Sequence, residues 1–297
     1  METTSTQDAW LEARSTNTIM ARLARREHVA ALGVRGARSP DIARLAKATG
    51  HHAIWVDLEH SAMPIDVAGA ICATALDIGV VPFVRVPERE YGVIGRLLDG
   101  GAAGIIVPRI ETPAQAADVV AACRFPPHGH RSAIATLPCV ELRKLQPAQL
   151  YQVANRVTVV KLLIESPRGI ENMEAIARVE GVDLLAIGSN DLAAEMGVTG
   201  GGVHPQLRAA HEHALAACQR AGKPMMIGGV ADAAYIADFI RRGAAPFLMT
   251  GIDTDLLLGA LHERVAQAMA SLAREATAES PPPPASPLNS PLNHPTP

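Results

Sequence analysis

Aromatic side chains make up only 3% of the 297 residues, so the core cannot rest on packed rings. With 48% apolar residues it must be built from Ala, Val, Leu and Ile, as parallel strands covered by helices usually are. An excess of charge is also missing. The formal net charge of −3 leaves no basic field for nucleic acid or an anionic lipid surface. Cys72, Cys123, Cys139 and Cys218 lie far apart with no C-x-x-C pair, which excludes a zinc knuckle or a redox dithiol and makes reduced thiols the default. No apolar run approaches the ~18 residues that span a membrane, and the first residues, METTSTQDAWLEARSTN, hold no apolar core of a signal peptide. The expectation is a cytoplasmic protein with no nucleic-acid or membrane partner.

What is present is an alternation. Short β-branched or aliphatic runs at 28–34, 53–59, 81–86, 104–109, 157–165, 183–188, 224–230 and 245–250 are separated by helical patterns, the signature of repeated βα units. Eight such runs predict a (β/α)₈ barrel of the TIM type. A doubly wound sheet would alternate similarly, but it usually opens with a G-x-G-x-x-G phosphate loop, and ALGVRGARSP after the first run lacks one. Ser39-Pro40, Thr112-Pro113 and Ser166-Pro167 each place a capping hydroxyl before a proline suited to the first helical turn. Gln115 completes a capping box with Thr112, and Gly50, Gly181 and Gly197 are placed to end helices. Residues 280–297 hold eight of the 22 prolines and read as a disordered tail, and residues 1–14 as a frayed start. One domain is expected over 15–279. The stretch 133–156 is longer than a plain connection and reads as a pocket lid or a subunit contact.

In such a barrel the chemistry gathers where strands end. That places Asp57, Glu59, His60, Arg85, Arg109, Glu111, Glu165 and Asp191 on one rim. Glu165 and Asp191 suit a hard divalent cation with open positions for a bidentate 2-oxo acid. The plainer alternative pairs Glu165 with an arginine and leaves Asp191 as a helix cap. The stretch 188–191, GSND, opens a helix whose Asn190 and Asp191 N–H groups can face a carboxylate. His60 is a candidate general base, against the commoner satisfied loop histidine. His51, His52, His128 and His130 are assigned to that structural reading. Arg85 at the end of FVRV needs a carbonyl or carboxylate partner. Lys161 shares the inward parity of Glu165, so a Schiff-base lysine is conceivable beside a tolerated core-edge lysine.

Six ordered blocks, WVDLEHS (55–61), PFVRVP (82–87), LLDGGAAGIIVPRIET (97–112), RFPPHGHRS (124–132), the stretch 164–197 beginning IESPRG and ending EMG, and TGIDTDLL (250–257), resemble the HpcH/HpaI family of class II pyruvate aldolases. The resemblance covers roughly residues 28–270. It implies a metal-dependent lyase that cleaves a 4-hydroxy-2-oxo acid reversibly to pyruvate and an aldehyde through a metal-bound enolate. Glu165 and Asp191 match the residues that hold Mg²⁺, Mn²⁺ or Co²⁺. Arg85 matches the arginine facing the enolate oxygen, with Asp57 beside it in the catalytic set and Ser189, Asn190 and Asp191 in the substrate-binding stretch. His60 matches the acid–base histidine, and Asp99 its aspartate partner. Asp99 follows a helix, on the side opposite the strand ends. The family supplies this aspartate from a neighbouring subunit, in homo-oligomers that are commonly trimers of dimers. Leu163, Ala31 and the GSND sequence depart from some members, which carry Gln, Trp and G-P-A-D there. Those changes put the substrate in doubt rather than the metal pair. Acyl-CoA lyase and oxaloacetate decarboxylase share the same enolate and stay open as alternatives, as does a silent scaffold that binds a 2-oxo acid.

Overall fold

The computed structural model describes residues 9–12, 15–199 and 204–278. Eight strands form one parallel sheet: β1 Val29–Val34, β2 Ala53–Asp57, β3 Val81–Arg85, β4 Gly104–Val107, β5 Val159–Ile164, β6 Leu184–Gly188, β7 Met225–Gly228 and β8 Phe247–Ile252. Their order is β7-β6-β5-β4-β3-β2-β1-β8, each pair in parallel register, so the sheet curls into a nearly closed barrel. Between β7 and β8 the Ala245 N–H still donates to the Met225 carbonyl at 2.7 Å. The expected barrel is observed, with strand ends within two residues of the ends of the apolar runs.

The helices are α1 Thr18–Ala24, α2 Asp41–Ala48, α3 Ile65–Asp77, α4 Ile94–Asp99, α5 Pro113–Cys123, α6 Pro147–Val157, α7 Pro167–Glu171, α8 Met173–Ala177, α9 Ser189–Glu195, α10 Pro205–Ala221, α11 Ala233–Arg241 and α12 Asp253–Ala278. Alternation along each strand divides the apolar residues in two. Leu32, Ile54, Val84, Ile105, Leu162 and Leu185 face the helices. Ala31, Ala53, Trp55, Phe83, Ala186, Met226 and Phe247 fill the barrel. Few rings suffice because alanines on neighbouring strands make room for them. Gly104 belongs to the same economy, since a Cβ there would fall on the Phe83 ring.

Local signals behave as local chemistry dictates. Thr112 and Gln115 form a complete capping box, and Ser166 Oγ accepts from the Gly169 N–H. Ser39 sits one residue early: Pro40 is the N-cap of α2, while the Ser39 hydroxyl accepts from the Asp41 N–H at 3.2 Å. Gly50, Gly181 and Gly197 adopt φ of +82°, +88° and +65° where helices end.

Two expectations change. Residues 9–12 are helical rather than frayed, with Trp10 and Leu11 packed against a small cluster around Phe125, Leu137, Leu150 and Val153. The same cluster absorbs 133–156, which is no lid: α6 and its neighbours build a satellite core on the side where strands begin. The tail 280–297 lies outside the described residues. The chain divides into two compact units, Met1–Thr254 and Asp255–Pro297. The described part of the second unit is the remainder of α12. No helix among the described residues is long and apolar enough to cross a membrane.

Candidate active site

Asp57, at the last position of β2, has no exposed surface, and this decides its role. Its carboxylate accepts from Arg85 Nε at 3.0 Å and Nη2 at 2.7 Å, from Arg35 Nε at 3.2 Å, and from the N–H groups of Glu59 and His60 at 3.1 and 3.2 Å. Burial pushes the carboxyl up, but Arg85, the His60 N–H and Arg35 outweigh it and leave it below the usual range. Asp57 is therefore a fixed anion that shapes the loop carrying His60 and orients Arg85, not a group that exchanges protons. Arg85 ends β3, lies 5.0 Å from the Trp55 ring centre and reaches Glu59 at 3.1 Å. Glu59 is held above its ordinary value by burial, against the charges of Arg85 and His60. His60, 54% exposed, stands at the rim with Nε2 3.7 Å from Glu59.

Glu165 follows β5 and is only 4% exposed. The partner it is given is the backbone N–H of Arg109, at 3.0 Å. That geometry explains the φ of +54° at Arg109, a conformation unfavourable for a side chain of its size. Burial pushes the Glu165 carboxyl up to about 7, opposed by the Arg109 N–H and raised further by Asp191 and Glu59. Asp191, in the first turn of α9, is 46% exposed and lies 3.5 Å from the Arg109 guanidinium. Arg109 also reaches Glu195 at 2.9 Å and Glu88 at 3.8 Å. Three exposed carboxylates thus share one guanidinium beside a buried carboxyl that has no ion pair among the described residues. Such an oxygen-only set with open positions fits a hard divalent ion. Among the described residues no cluster of three or more His, Cys, Asp or Glu offers a closed metal site. Gly188 belongs to this arrangement, because a Cβ there would fall on the Glu165 carboxylate.

The structure brings Asp57, His60, Arg85, Glu165 and Asp191 to one end of the barrel. Ser189 and Asn190 follow β6 at the same end, but the Ser189 side chain is engaged elsewhere, and Asp99 lies at the opposite end. Ser189 is buried, with Oγ 3.0 Å from His211 Nε2, and His211 Nδ1 is 2.8 Å from the Tyr235 hydroxyl. Burial and the charge of Arg208 push His211 down to about 4, so this is a neutral packing network rather than a substrate contact. Asn190 is exposed beside Gly229. Asp99 ends α4 on the side where strands begin, 2.8 Å from Arg131 Nη2. Lys161 is 2% exposed in the barrel interior, 4.5 Å from the Phe247 ring centre, and burial pushes its amine down to about 7. His51 and His52 are engaged structurally, by Thr49 and Thr250 and by the Ala30 N–H.

Sequence reasoning left out Arg35 and Glu195 and underrated Arg109. Arg35 follows β1, and nothing in its local pattern says that it reaches a carboxylate on the next strand. A groove of about 860 Å³ lined by Arg124, His128, Tyr151, Arg156 and Glu180 lies on the strand-start side, away from the charged ring. Its Arg124 is already bound to the Asp183 carboxylate and to neighbouring carbonyls, so volume there does not mark the chemistry.

A family model described as HpcH/HpaI aldolase/citrate lyase matches residues 34–260. The 4-hydroxy-4-methyl-2-oxoglutarate aldolase of Hapsidospora irregularis is 40% identical over 235 residues, which cover 78% of this chain and 87% of that one. The hydroxypyruvate/pyruvate aldolase of Pseudomonas aeruginosa is 34% identical over 229 residues, covering 77% and 84%. Among solved structures, the HpcH/HpaI aldolase from Desulfitobacterium hafniense superposes with a TM-score of 0.76 at 26% identity, covering 88% of this chain and 96% of that one. Strand-end chemistry, a match over most of the barrel and relatives at this identity agree: the chain belongs to the HpcH/HpaI aldolase/citrate lyase family.

Proposed function

We propose that the protein is a class II aldolase, a lyase that reversibly cleaves a 4-hydroxy-2-oxo acid to pyruvate and an aldehyde. The convergence of Glu165, Asp191 and Arg85 on one barrel end carries this reading. Glu165 and Asp191 hold a divalent ion, Mg²⁺, Mn²⁺ or Co²⁺, which when bound supplies a Lewis acid for negative charge on the 2-oxo group. Arg85, fixed by Asp57 and Glu59, keeps a guanidinium facing the same oxygen, where the enolate charge develops. His60 takes the proton of the 4-hydroxyl. The C3–C4 bond then breaks, its electron pair passes into the C2–C3 enolate, and the aldehyde leaves. Protonation of C3 gives pyruvate. Asp57 acts through Arg85 and is a positioning residue, and the backbone of Asn190 and Asp191 lies beside the substrate carboxylate.

Asp99 reaches His60 only from a neighbouring copy, because its own chain places it at the opposite end of the barrel. We place the protein in a homo-oligomer, a trimer of dimers. Leu256, Leu257, Leu261, Val265, Met269 and Leu272 of α12 are all exposed, which an isolated chain would carry at a cost in solubility. Four free thiols, none of them in a disulfide, agree with a cytoplasmic location.

The test is pyruvate release from 4-hydroxy-2-oxopentanoate with Mn²⁺, before and after exhaustive chelation, together with deuterium exchange of the pyruvate methyl group. Chelation and Glu165→Gln are each expected to reduce release by at least ~100-fold. Undiminished activity after chelation, with borohydride trapping at Lys161, would establish a Schiff base instead.

A further inference from the structure

The short helix α9 carries Asp191 in its first turn, yet its own start does little to aim it. Gly188 is the N-cap and makes no side-chain hydrogen bond, so no capping side chain fixes the direction of the first turn. On the exposed side one guanidinium, that of Arg109, reaches both Asp191 and Glu195. On the buried side Leu192 and Ala193 pack against the barrel. Apolar packing keeps a helix in place without setting its rotation, because it is non-directional.

The directional hold comes from Ser189. Its side chain is buried, with Oγ 3.0 Å from His211 Nε2 on α10, and His211 Nδ1 lies 2.8 Å from the Tyr235 hydroxyl on α11. His211 has no exposed surface, and burial with the nearby Arg208 charge keeps its ring neutral. A neutral imidazole has one donor and one acceptor nitrogen, and a hydroxyl plays either part, so both links are satisfied whichever nitrogen carries the proton. The ring meets Tyr235 and Phe239 edge-on, each with centroids 5.8 Å apart, and is thereby held from two further directions. A buried polar chain that is fully satisfied fixes geometry, since any rotation that breaks a link leaves a polar group without a partner. We propose that His211 is a positioning residue for Asp191: through Ser189 it sets the rotation of the first turn of α9, and so where the Asp191 carboxylate stands relative to Glu165. This rests on reading Glu165 and Asp191 as the metal pair.

The two nitrogens of His211 can be tested separately, because the amide of Asn stands near the place of Nδ1 and that of Gln near the place of Nε2. Mn²⁺ is titrated into the metal-free protein and followed by electron paramagnetic resonance, with the urea midpoint measured on the same samples. Ser189→Ala and His211→Asn both lose the link between α9 and α10, and each is expected to bind Mn²⁺ about tenfold more weakly. His211→Gln keeps that link and gives up Tyr235 instead, and should stay within about threefold of the wild type although its urea midpoint falls as far as that of His211→Asn. Equal affinity in all four proteins would overturn the proposal, and so would equal losses in His211→Asn and His211→Gln, since the network would then only hold helices together. Should the His211 variants fail to fold, Ser189→Ala decides alone, because it removes one hydroxyl and leaves the link to Tyr235 in place. A wild type that binds no Mn²⁺ removes the metal reading of Glu165 and Asp191, and this inference with it.

Discussion

At the residue scale the site is a problem of shared charge. Arg109 touches both carboxylates assigned to the ion, Glu165 through its backbone and Asp191 through its guanidinium. A fixed cation beside a divalent ion opposes binding, and its field is felt more strongly in a partly buried site than in water. Arg109→Met, which keeps the backbone N–H, is accordingly expected to bind Mn²⁺ about tenfold more tightly, measured by titration of the metal-free protein followed by electron paramagnetic resonance. Gly188→Ala should act in the other direction, because its Cβ would displace the Glu165 carboxylate. A loss of Mn²⁺ affinity of roughly tenfold or more is expected in the same titration, in line with changes to groups that support metal ligands. An unchanged affinity in Gly188→Ala would mean that Glu165 is not a ligand.

At the scale of elements, helix starts carry local information that the fold keeps. The capping box of α5 satisfies the Gln115 and Thr112 N–H groups within four residues. Thr112→Ala is expected to cost about 1 kcal/mol, read from the urea midpoint at unchanged m-value. Ser39 shows the limit of such reading. Its hydroxyl still accepts from the Asp41 N–H at the start of α2, but the helix takes Pro40 as its N-cap, because the chain has already turned helical there. The stretch 133–156 shows another limit, since length alone says that it has a job without saying which. Its apolar residues join Phe125 and Trp10, two segments distant in sequence.

For the whole molecule, the barrel interior holds a buried lysine, Lys161, between the Phe83 and Phe247 rings. Burial lowers the Lys161 amine from 10.5 to about 7, so between those values the unfolded chain binds a proton that the folded one does not. Stability from this residue is therefore present above pH 10.5, falls as pH drops towards 7 and is level below. Lys161→Met should abolish that slope and raise the unfolding free energy at pH 7 by about 1–3 kcal/mol, checked by urea denaturation at pH 7 and 9.5. Assembly makes a second prediction at this scale. If Asp99 serves the His60 of another copy, separately inactive His60→Ala and Asp99→Ala proteins should regain activity when co-refolded into mixed oligomers. Homogeneous preparations that stay inactive after mixing would place both residues in the same chain's site.

The sequence by itself determined the features that arise within a few residues: eight apolar runs, the caps at Thr112 and Ser166, the glycines that end helices, and Arg85, Glu165 and Asp191 near strand ends. Side-chain alternation, capping hydrogen bonds and positive φ are all settled locally. Only the tertiary structure decided which charges meet. Asp57 became a buried anchor because Arg85 and Arg35 arrive from neighbouring strands, and Ser189 turned inward because His211 offers it a partner. Glu165 is seated by a backbone N–H 56 positions away, and Asp99 by an arginine 32 positions away. Such pairings depend on strand order and register, which bring together residues whose separation along the chain carries no signal of their contact.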